Sequence, residues 1–129
     1  MASLSIAKGV SLAPRKVGEV AALVRGRSVE DALVILSHTP RRSAVAVAKA
    51  IKSAAANAEH NHGYKPKTLQ IVELSVTAGP RLKRFMPVAR GMAHPYQKRT
   101  SHIKVVVDGE KRAVKKPAVA KPVTKKEAK

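Results

Sequence analysis

Residues 79–103 read GPRLKRFMPVARGMAHPYQKRTSHI, and the fold turns on what this stretch is. It carries Arg81, Lys83, Arg84, Arg90, Lys98 and Arg99, and residues 74–107 contain no acidic side chain to oppose them. Cations that repel one another along a segment with little apolar periodicity become ordered only against negative charge supplied from outside. The flanks of the stretch are β-rich. Upstream, residues 69–76 are aliphatic and β-branched, with Val72, Leu74 and Val76 expected on one face. Downstream, residues 100–107 alternate: Ser101, Ile103, Val105 and Val107 fall on one side, and Thr100, His102, Lys104 and Val106 on the other. Asp108-Gly109 ends that strand. Two strands adjacent in sequence pair most simply as an antiparallel hairpin. A connection of this length is far beyond an ordinary turn, so it is either functional or unstructured. Continued as a ribbon, with arms of about ten residues at roughly 3.3 Å each, it projects about 30 Å. Gly91 is then the natural tip, because glycine takes positive φ without steric cost.

The chain before the ribbon supplies a body for it. Leu4, Ile6, Val10 and Leu12 alternate with Ser5, Ala7, Gly9 and Ser11, which predicts a half-buried strand. Pro14 opens a helix over residues 14–25, with Val17, Val20, Ala21 and Val24 at helical spacing and Gly26 as its stop. Ser28 and Asp31 form a capping box for a second, short helix carrying Val29, Ala32, Leu33 and Leu36. A third helix is predicted from a cap at Thr39 to a break at Gly63, with Ala44, Val47, Ala48, Ile51, Ala54, Ala55 and Ala58 along one face. Alanines on that face let the helix axis approach its partner closely. The fold class is therefore α+β: three helices packed on a small three-stranded antiparallel sheet, with a long protruding β-hairpin at about residues 79–99. One domain spans residues 1–110. Residues 111–129 are a low-complexity basic tail, expected to be disordered alone.

Composition narrows the function. The 129 residues include 26 Lys and Arg against 8 Asp and Glu, a formal charge of +18, which points to a polyanionic partner. No apolar run nears the roughly 18 residues of a spanning helix, and the first residues lack a signal-peptide pattern, so a cytosolic protein and no membrane partner are expected. The absence of cysteine excludes disulfides, thiolate catalysis and Cys-ligated zinc. Among the five histidines, only His60 and His62 lie close together in sequence, and they lack further spaced ligands. Together with Asn61 they read as helix-end groups for backbone, phosphate or base. No phosphate loop, nucleophile elbow or carboxylate pair is present, so neither an enzyme, a cofactor nor a metal site is expected.

Tyr64, Phe85 and Tyr96 are the only aromatic residues, too few for recognition by base stacking. The cations are instead spread along the chain: Arg15, Lys16, Arg25 and Arg27 by the first helix, Arg41 and Arg42 by the third, and the ribbon. That distribution suits a partner that surrounds the protein, such as a folded RNA. A free-standing nucleic-acid coater fits the composition equally well. The long acid-free ribbon and the segments AAANAEHNHG and KRTSHI separate the two, since a general coater needs neither.

PRKV at residues 14–17, VRGRSVEDAL at 24–33, SAAANAEHNHG at 53–63 and KRTSHI at 98–103, in this order and at these intervals, resemble a known pattern. It is that of the bacterial large-subunit ribosomal protein family numbered twenty-two in the universal naming, and the resemblance covers residues 4–107. It implies a structural constituent of the large ribosomal subunit in the cytoplasm, without catalytic activity. Its partners would be ribosomal RNA, neighbouring ribosomal proteins and the nascent polypeptide. By the same resemblance, Arg81, Lys83, Arg84, Lys98 and Arg99 become shaft residues on RNA, with His102 joining the contact set. Val88, Ala89, Arg90, Gly91 and Met92 become a tip lining the peptide exit tunnel. The sequence departs from the family at Val88 and Met92, where arginines are common, at Pro95 in the returning arm, and in the tail after Arg112.

Overall fold

The computed structural model describes residues 2–110; the basic tail expected at 111–129 lies outside the described residues. The chain runs β1 (Ser3–Val10), α1 (Pro14–Val24), α2 (Val29–His38), α3 (Arg42–His62), a 3-10 turn (Pro66–Thr68) and β2 (Gln70–Ala78). It then continues through β3 (Leu82–Pro87), a second 3-10 turn (Ala89–Gly91), β4 (Ala93–Lys98) and β5 (Ser101–Asp108). Helices α1 and α3 pack on one face of an antiparallel sheet ordered β1-β5-β2, α2 packs against those two helices, and β3 pairs with β4 as a separate ribbon.

Strand β5 is central, and the expected alternation holds along it: Ser101, Ile103, Val105 and Val107 are fully buried. Each buried Val or Ile contributes roughly 1.5–3 kcal/mol by leaving water. Two neighbouring strands depart from the expected faces. In β1 the buried residues are Ser3 and Ser5, while Leu4 and Ile6 point outward at 47% and 48% exposure. The cause is α3, whose Ala50, Ala54 and Ala58 are buried and bring its backbone close to the sheet. Only small side chains fit between them. Ser3 Oγ donates to the Ala54 carbonyl at 3.3 Å, and Asn57 Nδ2 donates to the Leu4 carbonyl at 3.2 Å. In β2 a register shift between Ile71 and Glu73 turns Val72 outward, so Ile71 and Leu74 are buried rather than Val72 with Leu74.

The helix boundaries follow local chemistry. Pro14 sits at the start of α1, where its missing N–H costs nothing. At α2, Ser28 Oγ accepts from the Asp31 N–H at 3.2 Å, with Glu30 and Asp31 in the first turn where carboxylates complement the helix dipole. Thr39 does not cap α3 as the sequence pattern predicts. Its hydroxyl donates to the Ile35 carbonyl at 2.8 Å and it closes α2, so α3 begins later, after an extended Arg41 with no side-chain cap. Gly63, at φ 64°, ends α3 as expected.

The ribbon holds an unbroken register from Leu82↔Lys98 to Pro87↔Ala93, straight across Pro95. Its arms are six residues each, about 20 Å at roughly 3.3 Å per residue, shorter than the ten-residue arms expected. Pro80 accounts for the difference, because it has no N–H for the ladder and separates the ribbon from the sheet. At the tip, Val88 N–H donates to the Met92 carbonyl at 2.8 Å, closing a loop in which Gly91 takes φ 72°. Arg90 takes φ 61°, a left-handed conformation costing a non-glycine residue about 1–2 kcal/mol.

Tyr64 anchors the chain after α3. Burial, then the Asp108 carboxylate through its charge and a hydrogen bond, hold the phenol above the ordinary tyrosine range. The folded value is raised, so this contribution to stability is present below the ordinary tyrosine pKa and is lost as pH rises through the folded one. In a Tyr96→Phe background, which leaves a single phenol, the ultraviolet ionisation step is expected above the ordinary tyrosine range. Adding Asp108→Asn should bring it part of the way down; a step already at the ordinary value would show that Tyr64 is neither buried nor paired.

Candidate nucleic-acid interface

Where the ribbon leaves the body, three parts of the chain converge. Ser11, Leu12, Ala13 and Lys16 from the β1–α1 corner, Arg42 from the start of α3, and Tyr96, Gln97, Lys98 and Arg99 from the ribbon root line an open groove of about 370 Å³. Lys16, Arg42, Lys98 and Arg99 are thus brought together from distant sequence positions.

The helix ends reinforce this charge. Neither α1 nor α3 has a side-chain cap or an acidic residue in its first turn. Their N-termini instead carry Arg15 and Lys16, and Arg41 and Arg42. Cations at the positive end of a helix dipole are unfavourable unless an anion lies nearby, and free N–H groups there bind phosphate readily. The capped, acidic start of α2 shows the ordinary solution within the same fold.

Every residue of β3 and β4 is exposed. The register sorts them into two faces. One carries Leu82 opposite Lys98, Arg84 opposite Tyr96 and Met86 opposite His94; the other carries Lys83 opposite Gln97, Phe85 opposite Pro95 and Pro87 opposite Ala93. The first face is cationic. The second has one lysine and an apolar outer half, with Phe85 at 74% exposure. This division is not visible in the charge count, because it depends on which residues the pairing sets opposite each other.

The sequence-predicted cations have different fates. Arg15, Lys16, Arg42, Arg81, Lys83, Arg84, Lys98 and Arg99 have no acidic partner among the described residues. Arg25 is exposed but tied to β2, its Nε and Nη2 donating to the Leu74 carbonyl at 3.1 and 2.9 Å. Arg27 Nε donates to the Leu23 carbonyl at 3.0 Å, and Arg41 pairs with Glu19. His102 Nδ1 accepts the Gly9 N–H at 2.9 Å, locking an irregular stretch of β1. Lys104 donates to both oxygens of Glu73, and this bond holds the Glu73 carboxyl below the ordinary carboxylate range. His60, Asn61 and His62 are exposed at the far end of α3, whose 21 residues span about 30 Å. His62 meets the Tyr64 ring edge-on at 6.0 Å. These three residues lie away from the groove.

An α+β body whose unpaired cations gather at the ribbon root, with a bare cationic ribbon between β2 and β5, has the surface of a polyanion-binding class of protein. Residues 5–108 match the model of the family described as ribosomal protein L22p/L17e, and the chain belongs to that family. It is a structural constituent of the large subunit of the bacterial ribosome, in the cytoplasm, and not an enzyme. It is 49% identical over 111 residues to the large ribosomal subunit protein uL22 of Clostridioides difficile, covering 86% of this chain and 100% of that protein. The namesake proteins of Desulforamulus reducens and Clostridium tetani are each 49% identical, over 86% and 83% of this chain and 98% and 96% of their own lengths.

The free and the internally bonded cations are separable by experiment. Replacing Arg42, Arg84 or Lys98 with alanine should lower the salt slope of binding to large-subunit RNA by about one unit each, with little change in thermal stability. Arg25→Ala should instead cost on the order of 1–3 kcal/mol of stability, because the Leu74 carbonyl loses a charged donor. Equal effects of all four on the salt slope would refute the distinction.

Proposed function

We propose that the chain binds ribosomal RNA of the large subunit through its basic surfaces and lines the nascent-peptide exit tunnel with its ribbon. The observation that carries this reading is the ribbon itself, exposed at every residue and bearing cations without acidic partners. Among the described residues, nothing covers this segment. Walls of RNA supply both the negative charge and the enclosing surface it lacks.

Roles follow from position. Lys16, Arg42, Lys98 and Arg99 take phosphate in the groove, with Arg15 beside them. Arg81, Lys83 and Arg84 hold the shaft between RNA segments. His60, Asn61 and His62 touch RNA at the far end of α3 and fix the body's orientation. Arg25, Arg27, Arg41 and His102, each bonded within the protein, form the edge of this surface and hold its shape. The tip, Val88, Ala89, Arg90, Gly91 and Met92, faces the tunnel and the nascent polypeptide. Neighbouring ribosomal proteins complete the set of partners.

Deleting residues 86–93 tests the division between body and tip. The deletion removes one formal positive charge, Arg90, and touches no buried residue. The shortened protein should still enter large subunits, while pausing on a nascent chain that stalls in the tunnel changes. Loss of incorporation by a deleted form whose body still folds would make the tip an anchor.

A further inference from the structure

We propose that Gly79 and Thr100 form an elbow that fixes the angle of the ribbon and so holds Lys98 and Arg99 in register with Lys16 and Arg42. The functional half of this inference rests on the proposed binding of RNA. The geometric half does not.

Two strands leaving a sheet through short unpaired links can swivel about several backbone bonds. Among the described residues, no hydrogen bond or ion pair joins β3 or β4 to the body, so the links, with the packing at the ribbon root, set the ribbon's direction. Three contacts lie at one level of those links. Gly79 N–H donates to the Thr100 carbonyl at 2.9 Å. Thr100 Oγ1 donates to the Pro80 carbonyl at 2.6 Å, tying the outgoing strand to the returning one. A Cβ on Gly79 would lie 2.5 Å from Thr100 Oγ1, 3.2 Å from the Thr100 carbonyl carbon and 3.3 Å from His102 Cε1. Only glycine permits this approach. Thr100 is 9% exposed while its neighbours Lys98 and Arg99 are open to solvent, so the hydroxyl is a buried tie rather than a surface group. Its branched Cβ leaves few rotamers, which makes the tie stiff. Lys98 and Arg99 follow the elbow on one side of the groove, and Lys16 and Arg42 belong to the rigid helices on the other.

The chain has no cysteine, so labels can be placed at two chosen sites without background. Spin labels on the full chain at Lys52→Cys and Phe85→Cys report the angle between body and ribbon. The natural sequence and Thr100→Ser should give the same single narrow distance distribution. Thr100→Val, which sets a methyl against the Pro80 carbonyl, and Gly79→Ala should broaden or shift it. In unlabelled protein, Thr100→Val should weaken binding to large-subunit RNA roughly tenfold, as lost preorganisation does, while Thr100→Ser stays within about twofold. Thermal unfolding of each variant checks that the body is intact, and Gly79→Ala stands in if Thr100→Val does not fold. An unchanged distance distribution in Thr100→Val or Gly79→Ala overturns the elbow. A changed distribution with undiminished RNA binding overturns its role in aligning the cations. If the natural sequence shows no salt-dependent RNA binding, the proposed function fails while the distances still decide the elbow.

Discussion

Strand β5 is paired on both sides, so its backbone is committed to two ladders and every second side chain to the core. A strand in that position admits no slippage, because a shift of one residue would put His102, Lys104 and Val106 inward and Ile103, Val105 and Val107 into water. The same strand receives the returning arm of the ribbon at Ser101. Fixing β5 therefore fixes where the ribbon emerges, and the three core residues Ile103, Val105 and Val107 become the foundation of an element that has no core of its own.

The second constraint is the small-residue contact of α3 with β1. A helix faced with larger side chains would have stood farther from the sheet and let Leu4 and Ile6 turn inward. With alanines at the contact, serines suffice to fill the gap and the aliphatic side chains of β1 face outward. The alternation in β1 was thus legible while its sense was not. Both faces of that strand alternate equally well, and the choice belongs to the helix packed against it. The exposed Val72 has a similar origin: a single extra residue at a bulge reverses a face, and nothing in the aliphatic run of β2 marks where it falls.

Local signals were read more securely than distant ones. Ser28 with Asp31, Pro14, Gly63 and Gly91 each act within a few residues, and each stands where the sequence puts it. Thr39 is the instructive exception, since the same hydroxyl that could cap a following helix can bond back to the preceding one. The interface was legible as a set of cations but not as a set of roles. Arg25 and Lys16 are equally basic in the sequence, yet one closes on the Leu74 carbonyl and the other lines the groove. Separating them requires knowing which backbone carbonyls lie within reach.

Those unpaired cations carry a cost in the free protein. Lys16 and Arg42 stand near uncapped helix N-termini, and Lys98 and Arg99 are held beside them, so like charges and helix dipoles add at one place. Each pair is screened by water and is modest singly, but the sum opposes folding. In the proposed complex, RNA phosphate would reverse the sign of each of these terms at once. On that proposal the groove is where the unfavourable electrostatics of the isolated fold would become favourable electrostatics of a complex. Because the ribbon has almost no packing energy of its own, its direction in the free protein depends on the Gly79–Thr100 contacts at its root, and the cations those contacts hold in place are the ones the proposed partner would meet.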